Sequence, residues 1–559
     1  DTYSADLSLH ARATYHVEIE DMEGFANLNP IEYKLEIMID EPPAVAIVYP
    51  GKNIDIANEM QLPLRIKIHD DYGFTSVKIA YRLVRSRYEK PAETFTFIAI
   101  PLSQEMRNAS DAEADFLWDV SPLGLVPEDV VEYHAEVFDN DNVSGPKKGM
   151  SESYLLRLPS LEEVFADADK NHDDAIEKLD KSLEEAEDLK KNLDEVSQEM
   201  KKSRPLDWQQ QKKAEETLKR YEELTKKIDD VSKSVDAMAQ EMQKNNILSS
   251  ETVQKYMELQ RLLQQINSPE FQEAMKKMQQ AMQNVSPDQL RQAMQQVQFS
   301  EEAFRQSIER TMELLKRIQV EQKMDELVKR SNELQQQQEK LQNETSAANT
   351  SDAKNPEELA RKQDDINKQL NELQKQIEEL RKKMVEFPKD MPMKELDKAE
   401  QAAHDSTMEQ SMQQSSQQLR QSQRQQAAQS QQKASKGMQQ LSQRLSEMEQ
   451  QLLNNEMAET MNTLRKAMKD LLEISQREED LKNQSQSLDP NSQQFRENAQ
   501  QQLNLQSDLA NVTNNLVELS QKSFAVTPEM GKAIGKAMGN MGQAMSGLEQ
   551  RNGQQASGQ

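Results

Sequence analysis

The chain contains no cysteine and little aromatic material. Aromatic residues make up 5% of its 559 residues, and hydrophobic residues 35%. The absence of thiols excludes disulfides, thiolate metal sites and cysteine nucleophiles. The apolar content is too low for one large core, but it is sufficient for apolar stripes on helices and for one or two small β domains.

Long apolar runs are also absent. No stretch of eighteen or more apolar residues occurs in the sequence, so none is expected to cross a bilayer as a helix. A signal peptide is not visible either. The first residue is Asp1 rather than Met. We therefore expect a processed chain or a fragment, with membrane association through a segment upstream of Asp1.

The sequence lacks the common signatures of nucleotide-binding proteins, serine hydrolases and zinc proteases. Its many Asp and Glu residues fall on wet helix faces, where nothing should raise their pKa, and this predicts a solvated surface rather than acid–base pairs. The net charge of −28 disfavours binding to nucleic acid and to anionic membranes. We predict a protein that is not an enzyme, without cofactor, metal site or small-molecule substrate.

Residues 1–160 alternate between apolar and polar side chains, as strands with one buried face do. The pattern is clearest at residues 15–19, 33–37, 64–68 and 77–81, and turn residues separate these segments. Short strands at this spacing predict an antiparallel β-sandwich.

An internal repeat refines this prediction. The sequence YHVEIED at residues 15–21 resembles YHAEVFD at residues 133–139. A turn and a closing strand follow each copy, near 33–39 and 154–158. We expect a complete immunoglobulin-like β-sandwich at 41–159, and at 1–40 only the C-terminal part of a truncated immunoglobulin-like domain.

From residue 160 the apolar period becomes helical. Apolar residues recur at steps of three and four, which lays one stripe along each helix, and the stripe must pack against a helix of this chain or of a partner. The members in the first two helices include Ile176, Leu179, Leu183, Ala186, Leu189, Leu193, Leu218, Tyr221, Leu224, Ile228 and Val231. We predict long helices or coiled-coil hairpins over 160–403. Residues 161–202 and 206–244 should form an antiparallel pair, and breaks should fall near Pro205, Pro269, Pro287 and Pro356.

The remaining C-terminal sequence divides into three parts. Residues 404–436 are almost entirely Gln, Ser, Arg and Ala, and we expect a low-complexity linker of marginal helix or disorder. Helices are predicted over 437–525. A Met- and Gly-rich helix and a polar tail are predicted over 526–559, with Thr527 as the cap and Pro528 at the first helical position.

Methionine-rich faces are the first candidate sites. One consists of Met275, Met278 and Met282, and the other of Met530, Ile534, Met538, Met541 and Met545. Such faces bind varied helices or soft metals such as copper, but ordinary gap-filling between helices is the favoured interpretation. Gly531, Gly535 and Gly539 form a small-residue series, for which close packing of helices is favoured over a helix lying on a membrane.

Acidic turns and histidines are the other candidates. Asp70 and Asp71, together with residues 139–142 (Asp-Asn-Asp-Asn), offer oxygen ligands to calcium. Turn chemistry alone explains them, and it is the favoured interpretation. The six histidines show no metal-binding spacing, and His16 and His134 occupy equivalent strand positions.

The order of the parts is similar to an uncharacterised bacterial family. The resemblance rests on residues 40–43 (DEPP), 49–51 (YPG) and 69–74 (HDDYGF), and on the tail 527–538 (TPEMGKAIGKAM). Members of that family carry N-terminal transmembrane helices, immunoglobulin-like repeats and a Gln/Met-rich low-complexity helical region. The resemblance implies a periplasmic, inner-membrane-anchored protein of the bacterial cell envelope, and it implies no activity.

The expected function is that of a non-enzymatic envelope scaffold with extracytoplasmic domains. Its helices would contact a protein partner or a second copy. One alternative is an adhesin-like surface protein that binds through its β-sandwich domains and uses the helices as a stalk. Another is a cytosolic coiled-coil structural protein, against which the acidic balance and the β repeats argue.

Overall fold

The computed structural model describes residues 4, 9, 11–36, 40–56, 60–87, 90–142, 145–201, 208–244, 248–266, 269–283, 287–347, 355–486 and 492–549. The chain divides into two compact units, Asp1–Ser160 and Leu161–Gln559. The first unit is rich in β-strands and the second is helical, so the predicted order of a β part followed by a long helical part is confirmed.

The β unit contains three sheets in its described part. Its strands are β1 (Ala13–Tyr15), β2 (Tyr33–Leu35), β3 (Ala44–Tyr49), β4 (Ile54–Asp55), β5 (Gln61–His69), β6 (Phe74–Arg85), β7 (Thr96–Ile100), β8 (Asp111–Asp119), β9 (Val130–Asp139), β10 (Lys148–Met150) and β11 (Tyr154–Arg157), with a helical turn, α1 (Gln104–Arg107), before β8. One sheet runs β4-β11-β9-β6-β7, with β10 also paired to β9. The second runs β3-β5-β8, and β1 pairs with β2 alone.

Strand β5 shows why these residues form strands. Its apolar residues alternate with polar ones, and burial alternates with them along the whole strand. Ile66 and Ile68 are fully buried, and they share one core with Ile79 of β6 and Tyr133 of β9. The β3-β5-β8 sheet and the larger sheet are therefore joined through a common apolar layer, which is the main stabilising element of this unit.

The two sequence copies make the same strand pairing. In the first copy Tyr15 lies opposite Tyr33, and in the second Tyr133 lies opposite Tyr154. Both pairs bring their rings into contact, with centroids 5.0 and 6.1 Å apart. Only Tyr15 of the strand predicted at 15–19 lies in β1, so the prediction is wrong for residues 16–19. Strand β2 ends at Leu35, and residues 37–39 of the second predicted strand lie outside the described residues. The sequence similarity therefore corresponds to equivalent pairing at one tyrosine pair.

The helical unit consists of helices, several of which begin at proline or after a capping side chain. They are α2 (Leu161–Lys201), α3 (Trp208–Lys244), α4 (Ser250–Ile266), α5 (Pro269–Gln283), α6 (Pro287–Ala347), α7 (Pro356–Met384), α8 (Met393–Ala403), α9 (Ser406–Arg420), α10 (Arg424–Gln486), α11 (Gln493–Lys522) and α12 (Pro528–Glu549). Proline at the first helical position costs no hydrogen bond, because that N–H has no partner within the helix. The break predicted near Pro205 lies outside the described residues.

Helices α2 and α3 pack against each other. Lys227, far along α3, contacts Glu185 in the middle of α2 at 2.7 Å, whereas Lys213 near the start of α3 contacts Glu195 near the end of α2. The two helices are therefore antiparallel, as predicted. Their apolar stripes face each other and the neighbouring helices of the same chain.

Helix α6 is the central helix of the unit. Helices α2, α4, α5, α7, α10 and α11 all pack against it. Every residue from Ile318 to Leu327 is buried, although more than half of them are polar or charged. A surface helix buries only one face, so this stretch needs partners for its polar side chains on every side.

The expected linker at 404–436 is corrected by the structure. These residues form α9 and the first part of α10, which pack against each other. The buried positions of α10 follow a strict four–three alternation that begins with small or amide side chains: Ala427, Gln431, Ala434, Met438, Leu441, Leu445, Met448 and Leu452. A Cβ at Gly437 would lie 2.8 Å from the Met408 side chain. Small residues allow close packing of the two backbones, so a buried face exists without large apolar residues.

Buried glutamines complete this packing. Gln363 of α7 is fully buried, and its Oε1 accepts hydrogen bonds from Gln338 at 3.2 Å, Ser415 at 3.1 Å and Gln431 at 3.3 Å. Four helices thus meet at one amide. Because a buried amide without a partner costs free energy, these bonds specify which helices pack together.

Substitution of Gln338 by alanine is expected to lower the free energy of unfolding by ~1–3 kcal/mol, because it leaves the Gln363 amide with fewer partners. Gln336 lies two residues away on the same helix and is exposed. The Gln336→Ala variant should stay within ~0.5 kcal/mol of the parent. Urea unfolding followed by circular dichroism at 222 nm measures both. Equal effects of the two substitutions would contradict the role of the amide cluster.

Candidate functional site

A layer of buried polar side chains surrounds the middle of α6. We call it the central polar layer, and it draws residues from α2, α4, α6, α7 and α10. Its buried or partly buried members are Asp169, His172, Lys255, Tyr256, Gln319, Glu321, Gln322, Lys323, Asp325, Glu326, Arg330, Gln376, Glu449 and Glu456, and the exposed Asp173 accepts a hydrogen bond from Gln319 at its edge. Apart from His172, one of the six histidines, none of them was a predicted site residue.

One group in the layer links α2, α4 and α6 through neutral side chains. The Tyr256 hydroxyl donates to Oε1 of Gln322 at 2.6 Å and contacts Nε2 of His172. Burial lowers the pKa of His172 to about 3, so the imidazole is neutral at physiological pH.

Lys323 provides positive charge to the layer and is 3% exposed. Its ammonium group contacts Asp169 of α2, and lies 3.6 Å from Glu326 and 3.9 Å from Glu379 of α7. Burial disfavours the charged amine, but Glu326 and Asp169 outweigh burial and raise the pKa of Lys323. Lys323 therefore joins three helices as a buried cation.

Lys255 of α4 occupies a similar position between α6 and α10. Its Nζ lies 2.6 Å from Glu321 and 2.5 Å from Glu456. Burial raises the pKa of Glu321, and Lys255 opposes that rise. One ammonium group is shared between two carboxylates, so this part of the layer keeps an excess of negative charge.

Asp325 of α6 and Glu449 of α10 are carboxyl groups that affect each other's ionisation. Burial raises the pKa of both groups, and Asp325 raises the pKa of Glu449 further. The backbone N–H of Ser249 donates to Asp325, at 2.9 Å.

The layer contains more carboxyl groups than cations. Its acidic members are Asp169, Glu321, Asp325, Glu326, Glu449 and Glu456, and its basic members are Lys255, Lys323 and Arg330. Burial raises the pKa of Glu326 to about 7, with Arg330 and Lys323 opposing. Oε2 of Glu326 has no hydrogen-bond partner among the described residues. Burial therefore favours the protonated form of this carboxyl group more than water would.

Two adjacent glutamates of α6 show how strongly burial determines the pKa of a carboxyl group. Glu301 is 2% exposed, and burial raises its pKa to about 7. Glu302 contacts Lys190 at 2.7 Å and Arg305 at 2.6 Å, and these bonds lower its pKa to about 2. The prediction that nothing raises a carboxyl pKa in the helices is therefore wrong for Glu301 and Glu326.

A small cavity lies beside the layer. It has a volume of about 30 Å³ and is lined by side chains that include Arg317, Glu321, Asp390 and Lys522. Asp390 lies between α7 and α8, and it contacts Arg317 at 2.7 Å and Lys522 at 3.3 Å. This space is about the size of one water molecule.

The proposed calcium ligands are brought together in part. Asp139 and Asp141 approach the Lys147 ammonium group, at 3.8 and 3.1 Å, and Asp40 also contacts it. The carboxylate of Asp70 instead accepts the N–H groups of residues 72 and 73, so it closes the turn. Within the described ranges, no group of three or more His, Asp or Glu residues is arranged to hold a metal ion.

The methionine faces differ in their surroundings. Met275 and Met278 are buried between helices, whereas the side chain of Met282 lies outside the described residues. Met541 is buried against α11, and Ile534 and Met538 pack against the same cluster. A Cβ built at Gly531, Gly535 or Gly539 meets no atom within 4 Å, so in the described part these glycines do not provide a close helix contact.

A different methionine-rich face remains exposed. On α10, Met457, Met461, Met468 and Leu472 are 67%, 56%, 68% and 61% exposed. With Leu464, which packs partly against the α11 cluster, they follow helical steps of four and three. We call these five residues the α10 stripe. Apolar side chains in one exposed row commonly mark interaction surfaces.

No family model matches the chain, and no curated protein matches it. The class of protein is therefore described from the structure only: a β-rich unit is followed by a helical unit that contains a buried polar layer. None of the described helices is long and apolar enough to cross a membrane.

Proposed function

We propose that the chain is a non-enzymatic scaffold of the bacterial cell envelope that acts through helix-mediated contacts. The observation that carries the proposal is the exposed α10 stripe. Most other large apolar side chains of the described helices are buried within the chain, which leaves this row as the surface available to a partner helix. Methionine side chains repack easily and accept helices of varied shape.

The structure changes the mechanism expected from the sequence. The stripes of α2 and α3 were candidates for binding a partner, but they pack inside the unit. In our proposal the partner lies on α10 instead, between about Met457 and Leu472. The adjacent face of α10, with Ala467 and Ile474, packs against α11, and Arg477 of α10 contacts Asp508 of α11 at 3.0 Å.

The β unit is proposed to be an immunoglobulin-like sandwich that separates the helical unit from a membrane anchor. The shared core of its two larger sheets supports this assignment, as does the sequence repeat. The periplasmic location and the anchor rest on the family resemblance. A C-terminal tag in the full-length parent protein should be cleaved by protease added to intact spheroplasts. Protection until the inner membrane is opened would contradict the location.

A binding experiment tests the stripe directly. A photo-crosslinking amino acid at position 461 of the full chain should give a defined crosslinked product in the envelope. The same probe at Val385, which is 55% exposed and lies off the stripe, should give little. Adding Met457→Glu and Met468→Glu should reduce the product by roughly tenfold, because charges would have to be buried at the contact. An unchanged product would exclude the stripe as the binding surface.

A second candidate function is favoured by one feature of the β unit. An open groove of about 550 Å³ lies on the β5–β8 side, lined by residues that include Tyr49, Pro63, Arg65 and Leu117. Tyr49 and Leu117 are 55% and 57% exposed. An adhesin-like protein would bind its ligand at such a groove. In that case a probe at position 117, and not at position 461, would give the crosslinked product.

A further inference from the structure

We propose that the α10 stripe receives an acidic amphipathic helix of another protein, and that carboxylates of that helix contact Arg465 and Lys469 beside the stripe. The inference rests on the proposed function, because it gives the chemistry of the partner for the same surface. The charges along the open side of the stripe carry it, since the apolar row by itself would accept an amphipathic helix of either charge.

The two cations lie along one side of the stripe. Arg465 follows Leu464 and Lys469 follows Met468, so each is displaced by about 100° around the helix from a stripe residue. Ala467 precedes Met468, so it is displaced in the opposite direction, and it is buried against α11. Helix α11 therefore covers one side of the stripe, whereas Arg465 and Lys469, both exposed, form its open side.

The charge of this open side is not compensated by its neighbours. Within the described residues, neither of the two cations makes an ion pair or a side-chain hydrogen bond. Ala458, Asn462 and Gln476 complete the open side, and these exposed residues are uncharged. The nearest exposed acid is Glu473, which lies one turn beyond Lys469 and farther from the stripe. The open side therefore presents two unpaired positive charges to solvent.

Acidic residues near the start of the stripe are already paired inside the helical unit. Glu456, which precedes Met457, lies 2.5 Å from Nζ of Lys255, and Glu459 lies 3.1 Å from Nζ of Lys522. The surface beside the stripe is thus locally positive, although the whole chain has a net charge of −28. A helix with carboxylates beside its own apolar row would be complementary to this surface in both charge and polarity.

A second copy of this chain fits the surface less well. Two copies that pair along the stripe about a two-fold axis would bring their open sides together, because α11 occupies the other side of each stripe. Arg465 and Lys469 of one copy would then meet the same two cations of the other. Like charges across a contact are unfavourable, and a helix with Glu or Asp at these positions avoids the repulsion.

Two labelled helical peptides test the inference by fluorescence anisotropy with the full chain. Both carry the same row of Leu and Met, and the positions beside the row are Glu in one peptide and Lys in the other. At low salt the Glu peptide should bind roughly tenfold more tightly, because the two cations attract its carboxylates and repel the lysines of the other peptide. The net charge of −28 by itself favours the opposite order. High salt should reduce the preference, since the charges are exposed.

Charge variants of α10 assign the preference to the open side. Arg465→Glu together with Lys469→Glu should invert it, and Arg465→Gln together with Lys469→Gln should abolish it. Lys466→Glu together with Lys482→Glu is the matched control, because it changes the net charge by the same amount at exposed positions of the same helix. Lys466 points away from the stripe and Lys482 lies beyond its C-terminal end, so the control should keep the preference of the parent.

Several results would overturn the acidic partner: equal affinities in the parent, a preference for the Lys peptide, or a preference that the variants at positions 465 and 469 leave unchanged. Binding that survives Met457→Glu with Met468→Glu would lie elsewhere and would overturn it as well, as would a crosslink between two copies of the purified chain from position 461. Equal binding of both peptides at the stripe leaves the scaffold proposal intact. If neither peptide binds, this inference is wrong, and the envelope crosslink at position 461 decides the scaffold proposal separately.

Discussion

The Lys323→Ala variant is expected to lose ~3–5 kcal/mol of unfolding free energy, because removal of one partner of a buried ion pair leaves an uncompensated charge. Lys323 is 3% exposed and is surrounded by Asp169, Glu326 and Glu379. Without the ammonium group, Asp169 loses its ion-pair partner and Glu326 keeps only Arg330, at 2.9 Å, so both carboxylates must stay ionised with less compensation or take up protons. The loss should therefore shrink as pH is lowered from 8 towards 5.

Two further variants separate charge from packing. Lys323→Met retains most of the side-chain volume and removes only the charge, so it should show most of the same loss. Lys181→Ala removes a lysine whose ion pair with Glu177 is exposed, 66% and 63% respectively, and it should cost less than ~1 kcal/mol. Urea unfolding at several pH values, followed at 222 nm, measures all three. A Lys323→Met variant as stable as the parent would show that the ammonium group does not compensate these carboxylates.

The Trp118→Ala variant is expected to lose ~3–5 kcal/mol in the β unit. Trp118 is 1% exposed. Its ring lies on β8 of the smaller sheet, and its centroid is 5.4 Å from that of Tyr81 on β6 and 5.6 Å from that of Tyr133 on β9. Truncation would leave a cavity at the point where the two sheets share their core, and it would remove both aromatic pairs.

The neighbouring residue provides the control for this prediction. Leu117 lies on the same strand with its side chain on the opposite face, and it is 57% exposed. Leu117→Ala should change the unfolding free energy by ~0.5 kcal/mol or less. Hydrogen exchange of peptides from β5, β6 and β9 reports on the β unit separately from the helices. Similar loss of protection in both variants would mean that the packing of Trp118 does not determine the stability of this core.

The structural features that the sequence predicted well depend on residues that are close together in the chain. Helices begin at Pro269, Pro287, Pro356 and Pro528, where proline fits the first turn. The Thr527 side chain accepts a hydrogen bond from the Met530 N–H at 3.4 Å, as its role of cap requires. Alternation along β5 is equally local, because side chains in a strand point to opposite faces in turn.

The features that sequence missed depend on packing between distant residues. The buried face of α10 begins with Ala427, Gln431 and Ala434, whose small apolar and amide side chains form no pronounced hydrophobic stripe, although their four–three spacing was visible. The partners of Lys323 and Asp325 come from other helices. Whether a glutamate is solvated or buried depends on those helices, as the contrast between Glu301 and Glu302 shows.

The central position of α6 has a consequence for how the chain folds during synthesis. The antiparallel pair α2–α3 has its own interface as soon as both helices exist, but the charged middle of α6 finds Glu449 and Glu456 only after α10 has been made. Until then the buried face of α6 must remain hydrated. The interior shared by α2 to α9 can therefore become fully packed only after α10 has been synthesised. We expect the helical unit to complete its tertiary packing when its C-terminal half is present.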